Sequence, residues 1–93
     1  MAETFDLRIL TPAGITFEGP ATSLQARGRD GYFGVLAHHT PLVAALRPGH
    51  LMVRDGSGRE TWYEVGEGVI ETAHNKVNIL ADHAEPSSAP AGR

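Results

Sequence analysis

The sequence contains no cysteine, so neither a disulfide framework nor a cysteine-based zinc site is available to it, and packing alone must hold the fold. Such a composition suits a reducing compartment. Long apolar runs are also missing. The longest, Leu42-Val43-Ala44-Ala45-Leu46, falls far short of the ~20 residues that span a bilayer, so work at a membrane would have to be done through another subunit. Positive charge is sparse: 8 lysines and arginines stand against 11 acidic residues, for a formal net charge of -3. No basic cluster forms, which removes the electrostatic footprint of a nucleic-acid or anionic-membrane binder. The first residues, Met1-Ala2-Glu3-Thr4-Phe5-Asp6, have neither the basic start nor the apolar centre of a secretion signal.

What is present is a series of short alternating segments. The 93 residues suffice for one domain and one core. Phe5, Leu7 and Ile9 alternate with polar neighbours, the period-two pattern of a half-buried strand, and Thr11-Pro12-Ala13-Gly14 ends it. Residues 15–17 read as a brief second strand closed by Glu18-Gly19-Pro20. Residues 23–27 read as a third, with Leu24 and Ala26 inward. Gly31 and Gly34 bracket a bent strand, and Pro41 and Pro48-Gly49 fix the ends of the run from Leu42 to Leu46. Around Asp55-Gly56-Ser57-Gly58 two β-prone runs make a hairpin, in which Thr61, Tyr63 and Val65 share one face and Trp62 lies on the other. The expected fold is all-β: a small two-sheet β-sandwich of about ten short strands over residues 1–84. Residues 85–93, rich in proline, serine and alanine, lack apolar periodicity and are expected to be a disordered tail.

No catalytic constellation emerges. The five histidines, His38, His39, His50, His74 and His83, lack the spacing of a metal site, and adjacent His38 and His39 point to opposite sides of an extended chain. There is no Gly-x-Ser-x-Gly, and the glycine-rich segment at Asp55 has no following helix to make a phosphate cradle. Glu64 and Glu67 read as surface charge. Neither a metal nor a cofactor is expected. Trp62 is either a cover for the outer side of its sheet or an anchor for another protein. At least one of Leu42 and Val43 is expected in the core, and an exposed apolar patch would mark a subunit interface.

Two motifs bear a resemblance. Gly31, Gly34-Val35-Leu36, His39-Thr40-Pro41-Leu42-Val43, Leu46 and Pro48-Gly49 form the first; Tyr63, Val65 and Gly68-Val69-Ile70-Glu71, followed by Val77-Asn78-Ile79-Leu80-Ala81-Asp82, form the second. The string resembles the epsilon subunit of rotary proton-translocating ATP synthases, collinearly over roughly residues 4–84. Ala37 and His38 stand where that family usually has proline and glycine, and Tyr32 where it usually has an acidic residue. The resemblance implies a β-sandwich and a non-catalytic rotor subunit of the central stalk, bridging the gamma shaft and the ring of c subunits and helping couple proton flow to ATP synthesis. It also implies a peripheral place on the cytoplasmic side of a bacterial plasma membrane, with no direct insertion. Carried over by position, Arg29, Asp30, Gly31, Tyr32 and His39 are the ring-side candidates, and Thr11, Leu42 and Val43 the gamma-side ones. The family's C-terminal helical hairpin, inhibitory and in some members ATP-binding, has no counterpart in these 93 residues. They are therefore expected to leave ATP hydrolysis nearly unchanged.

Overall fold

The computed structural model describes residues 3–90. Nine strands follow one another among them: β1 (Phe5–Thr11), β2 (Gly14–Gly28), β3 (Gly31–Leu36), β4 (Leu42–Leu46), β5 (Gly49–Asp55), β6 (Glu60–Val65), β7 (Gly68–Ala73), β8 (Lys76–Ala81) and β9 (Ala84–Ser87). No helix occurs among the described residues. Hydrogen bonding links β4-β7-β8-β1-β2-β5-β6-β9 in one path, with β3 attached to β2.

That path doubles into two layers because β2 changes partners along its length. Its first part runs antiparallel to β1, from Thr11↔Gly14 to Phe5↔Ala21. Past a register shift between Ala21 and Ser23 it pairs with β5 on one side and β3 on the other. Thr22 is the extra residue of the shift, and its hydroxyl donates to the Arg54 carbonyl at 3.3 Å. A bulge bends a strand and increases its twist, which carries β2 from one sheet into the next. The two strands expected at 15–17 and 23–27 are therefore a single 15-residue strand running through Gly19 and Pro20. Proline is tolerated there because it falls where the pairing changes hands, and its carbonyl accepts from the Gly56 amide at 3.1 Å.

One layer holds β4, β7, β8, β1 and the start of β2; the other holds β3, the rest of β2, β5, β6 and β9. Between them lie Phe5, Leu7, Ile9, Ile70, Val77 and Ile79 from the first layer, against Leu24, Ala26, Val35, Leu51, Val53, Tyr63 and Val65 from the second. Burying each of the larger aliphatic side chains stabilises the fold by about 1.5–3 kcal/mol. His74 and Asn75, at φ 53° and 59°, make the tight left-handed turn that joins β7 to β8. Gly68 opens β7 where any Cβ would collide with the Leu80 carbonyl oxygen, so the corner before β7 requires glycine.

Ordered pairing also extends further than the expected boundary at residue 84. β9 pairs with β6 from Val65↔Ala84 to Trp62↔Ser87. Ladder bonds come from the main chain, so Glu85-Pro86-Ser87 can join a sheet without apolar periodicity, and Pro86 is acceptable in an edge strand. The last part of the expected tail, residues 91–93, lies outside the described residues.

Candidate partner-binding surfaces

A groove with about 610 Å³ of room opens between the β2–β3 turn, β3 and β4. Arg29 and Asp30 form its turn, Gly31, Tyr32 and Phe33 one wall, His39 one end, and Leu42 with Ala44 the opposite wall. Arg29 and Asp30 are exposed, as is Tyr32. Gly31, at φ 128°, has nothing within 4 Å of a built Cβ, so backbone conformation and not crowding demands glycine there. All five ring-side candidates thus share one concavity. Leu42, placed on the gamma side by resemblance, lines the same groove.

The His38-His39 loop is tied down by neighbours distant in sequence. His38 has φ 61°, a left-handed backbone at the position where the resembling family usually has glycine. Its amide donates to Asn75 Oδ1 at 2.7 Å, and Asn75 Nδ2 donates to the Thr4 carbonyl at 2.9 Å. The His38 Nε2 lies 2.6 Å from Glu3 Oε1, an exposed contact. His39 Nδ1 donates to the Thr40 carbonyl at 2.8 Å, which fixes the ring and leaves Nε2 as its remaining polar atom. The buried Thr72 hydroxyl donates to that same carbonyl at 2.8 Å.

A different surface occupies the outer side of the first layer. The registers Ala45↔Val69, Val69↔Leu80, Leu80↔Leu10 and Leu10↔Ile15 place five apolar side chains in one row across β4, β7, β8, β1 and β2. Val69 is 41% exposed, Leu80 52% and Ile15 54%. Val43 is 70% exposed beside this row, opposite Glu71. Thr11 and Pro12 join Leu10, Leu80, Glu67 and Asp82 around a shallow depression at one end of the row. The Thr11 hydroxyl is engaged locally, accepting from the Ala13 amide at 3.1 Å. Leu42 and Val43, adjacent in a strand, therefore face opposite ways: Leu42 is half-buried in the groove and Val43 is bare.

Sequence reasoning places Val69 and Leu80 in the second motif but names none of Leu10, Ile15, Val69 and Leu80 as a contact residue. A signal for three of them was there. Ile9-Leu10, Val69-Ile70 and Ile79-Leu80 are apolar doublets inside strands, and in each doublet one member must face away from the core. Ile9, Ile70 and Ile79 are wholly buried, and their neighbours form the row.

Trp62 takes the cover position. It lies on the outer side of the second layer, outside the core cluster, yet is only 8% exposed. Its Nε1 donates to Glu60 Oε1 at 3.3 Å, and its ring meets His50 edge-on at 6.3 Å.

The Asp55 carboxyl and the Tyr63 phenol are shifted from their ordinary values, and both lie away from the groove. The Ser57 hydroxyl, donating to Asp55 Oδ1 at 2.7 Å, is the largest influence holding the Asp55 carboxyl below the usual range, with the Ser57 and Arg59 amides assisting. Burial raises the Tyr63 phenol. No group of three or more histidines, cysteines or carboxylates is placed to hold a metal ion among the described residues. Nor is any helix there long and apolar enough to cross a membrane. What the surface offers is shape, apolar area and a mixed-charge groove, which serve recognition.

Comparison with known proteins finds relatives over most of the chain. The ATP synthase epsilon chain of Protochlamydia amoebophila is 37% identical over 81 residues, covering 87% of this chain and 55% of that protein. The epsilon chain of Acidithiobacillus ferridurans is 38% identical over 85 residues, covering 91% of this chain and 60% of that protein. The chain thus spans little more than half the length of these relatives. Among solved structures, a chain from the OSCP/F1/c-ring structure of Euglena gracilis mitochondrial ATP synthase superposes with a TM-score of 0.84 at 26% identity, covering 89% of this chain and 53% of that one. A chain from the central stalk and c-ring structure of Tetrahymena thermophila mitochondrial ATP synthase shares the fold, with a TM-score of 0.72 at 17% identity and coverage of 89% and 66%. The profile of the ATP synthase Delta/Epsilon chain, beta-sandwich domain, matches residues 4–87, and with that match the chain belongs to this family.

Proposed function

We propose that this chain is a non-catalytic rotor piece of an ATP synthase central stalk, bridging the gamma shaft and the ring of c subunits and helping couple proton flow to ATP synthesis. The observation that carries the proposal is the presence of two unlike recognition surfaces on one stiff body. The bare apolar row suits a tight protein interface, since a contiguous apolar patch rimmed by charge marks such sites. The groove, with Arg29, Asp30 and His39 around Tyr32, suits a polar partner.

We assign gamma to the apolar row, with Leu10, Ile15, Val43, Val69 and Leu80 in contact and Thr11 at its end. We assign the polar loops of the ring to Arg29, Asp30, Gly31, Tyr32 and His39, with Leu42 as the apolar wall of the same groove. Both partners held tightly on a stiff body let torque pass from one to the other. The domain then sits peripherally on the cytoplasmic side of a bacterial plasma membrane, held through the ring. Family membership and the likeness to a chain of the Euglena OSCP/F1/c-ring structure support this reading.

The test is a two-partner binding assay with cognate gamma and detergent-solubilised c ring. Leu80→Asp is expected to lose gamma while the fold is kept, and Tyr32→Ala with His39→Ala to loosen the ring while gamma is kept. Gamma capture untouched by Leu80→Asp would contradict the assignment.

A further inference from the structure

The outer side of the second layer carries its own row. Register places Gly34 beside Gln25, Gln25 beside Met52, Met52 beside Trp62 and Trp62 beside Ser87, in sequence across β3, β2, β5, β6 and β9. Met52 and Trp62 point away from the core, yet they are 9% and 8% exposed. Part of this cover comes from within the sheet, where His50 meets the Trp62 ring edge-on and Glu60 accepts from its Nε1. The chain leaves β9 at Ser87, next to Trp62, and Pro90 lines a depression of about 240 Å³ together with Gln25, Tyr32 and Trp62.

The geometry of the crossing is simple. Adjacent strands lie about 4.8 Å apart, so the step from β9 over β6 to β5 is about 10 Å, with β2 one strand further on. Three extended residues reach about 10 Å, so residues 88–90 can lie across β6 and β5, with Gln25 and Tyr32 on the far side of the depression. Among the described residues no backbone–backbone hydrogen bond joins them to the sheet, and the Ser87 hydroxyl donates to the Ser88 carbonyl at 3.2 Å. Gly34 leaves the far end of the row without a side chain, and Tyr32, two residues along β3, shares the depression with Pro90. Tyr32 also lines the groove on its other side. One aromatic ring therefore stands between the covered row and the candidate ring-side site.

We propose that residues 88–90 form a displaceable strap that covers Trp62 and Met52 and, by packing Pro90 against Tyr32, sets the position of Tyr32 in the groove. Tyr32 is then the recognition residue and Pro90 a positioning residue acting through it. Released, the strap uncovers an indole and a thioether, and Tyr32 loses its neighbour across the depression. The consequence for ring attachment rests on the function proposed above; the strap itself does not.

The experiment uses built-in probes. Trp62 is the sole tryptophan, and Tyr32 and Tyr63 are the two tyrosines, one exposed and one in the core. The full chain and a chain ending at Ser87 are labelled with 3-fluorotyrosine, and the two fluorine resonances are assigned with Tyr32→Phe. Removing 88–93 is expected to shift Trp62 emission to the red, raise its acrylamide quenching several-fold, and move the Tyr32 resonance while Tyr63 stays in place. If the shortened chain does not fold, Pro90→Asp in the full-length chain is expected to give the same changes. Unchanged quenching would overturn the strap. Quenching that rises while Tyr32 stays still, or a Tyr63 resonance that moves with Tyr32, would overturn the positioning role. No partner protein enters these readouts, so a failure of ring binding would count against the proposed function and leave the strap standing.

Discussion

The two outer faces of the sandwich have similar material and opposite fates. On the first layer Leu10, Ile15, Val69 and Leu80 stand in a row and are left partly or largely open. On the second layer Met52 and Trp62 stand in a row and are shut away. The strands beneath are alike in length and spacing, so the sheets do not explain the difference. The proposed strap does: Pro90 lies beside Trp62 on the second face, and residues 88–90 line no depression on the first. An apolar row that the protein covers for itself is a satellite of the core, whereas one left open is a surface awaiting another protein.

The sharpest way to break this comparison is to treat the two members of one doublet alike. Ile79 is fully buried and Leu80 is 52% exposed. Ile79→Ala is expected to cost about 2–5 kcal/mol of stability in a denaturant titration, because it opens a cavity between the layers. Leu80→Ala is expected to stay within about 0.5 kcal/mol, as surface substitutions do. Equal losses would mean that the row is not a free surface.

Changing the readout from stability to binding reverses the order. Leu80→Asp is expected to weaken gamma capture by about 2 kcal/mol or more, roughly 30-fold, because a charge is forced into the centre of the interface. Val43→Asp, at the margin of the row, is expected to cost less, and calorimetric titration of gamma into each variant checks both. On the groove side, Gly31→Ala is expected to cost about 1–3 kcal/mol of stability, since φ 128° is a glycine conformation, and denaturant midpoints check it.

Proton linkage is expected to have smaller effects, at opposite ends of the pH range. Burial raises the Tyr63 phenol, so its folded value lies above the unfolded one of about 10. Stability is intact below that unfolded value and is lost as pH rises from there through the folded value. Tyr63→Phe is expected to remove that alkaline slope. Asp55 is lowered, so its contribution is present above the unfolded value of about 3.9 and is lost as pH falls through the folded one. Asp55→Asn is expected to flatten the acid limb, with the smallest effect of the set because the carboxylate is exposed at the hairpin tip; thermal melts across pH follow both.

How much of this could be read in the residues depends on whether the controlling interaction is local. β4 begins and ends where Pro41 and Pro48 dictate, and the alternation of Phe5, Leu7 and Ile9 gives both a strand and its buried face. The continuity of β2 was hidden because Gly19-Pro20 looks like a terminator, and it becomes a junction only when β1 and β5 are both present. β9 was hidden because main-chain pairing leaves no mark on side-chain pattern. In the groove, residues 29–32 are contiguous in the chain, whereas His39 and Leu42 reach it through the return of the fold. The depression beside Trp62 is closed twenty-eight positions away by Pro90, where no periodicity reports it.

The central claim is that the open row, and not the covered one, meets the shaft. Hydrogen exchange on the chain alone and with cognate gamma tests it most directly. The account predicts a one-to-one complex in which amides of β1, β7 and β8 slow markedly, while those of β5 and β6 around Met52 and Trp62 keep their rates. Protection centred on β5 and β6, or no complex at all, would contradict it.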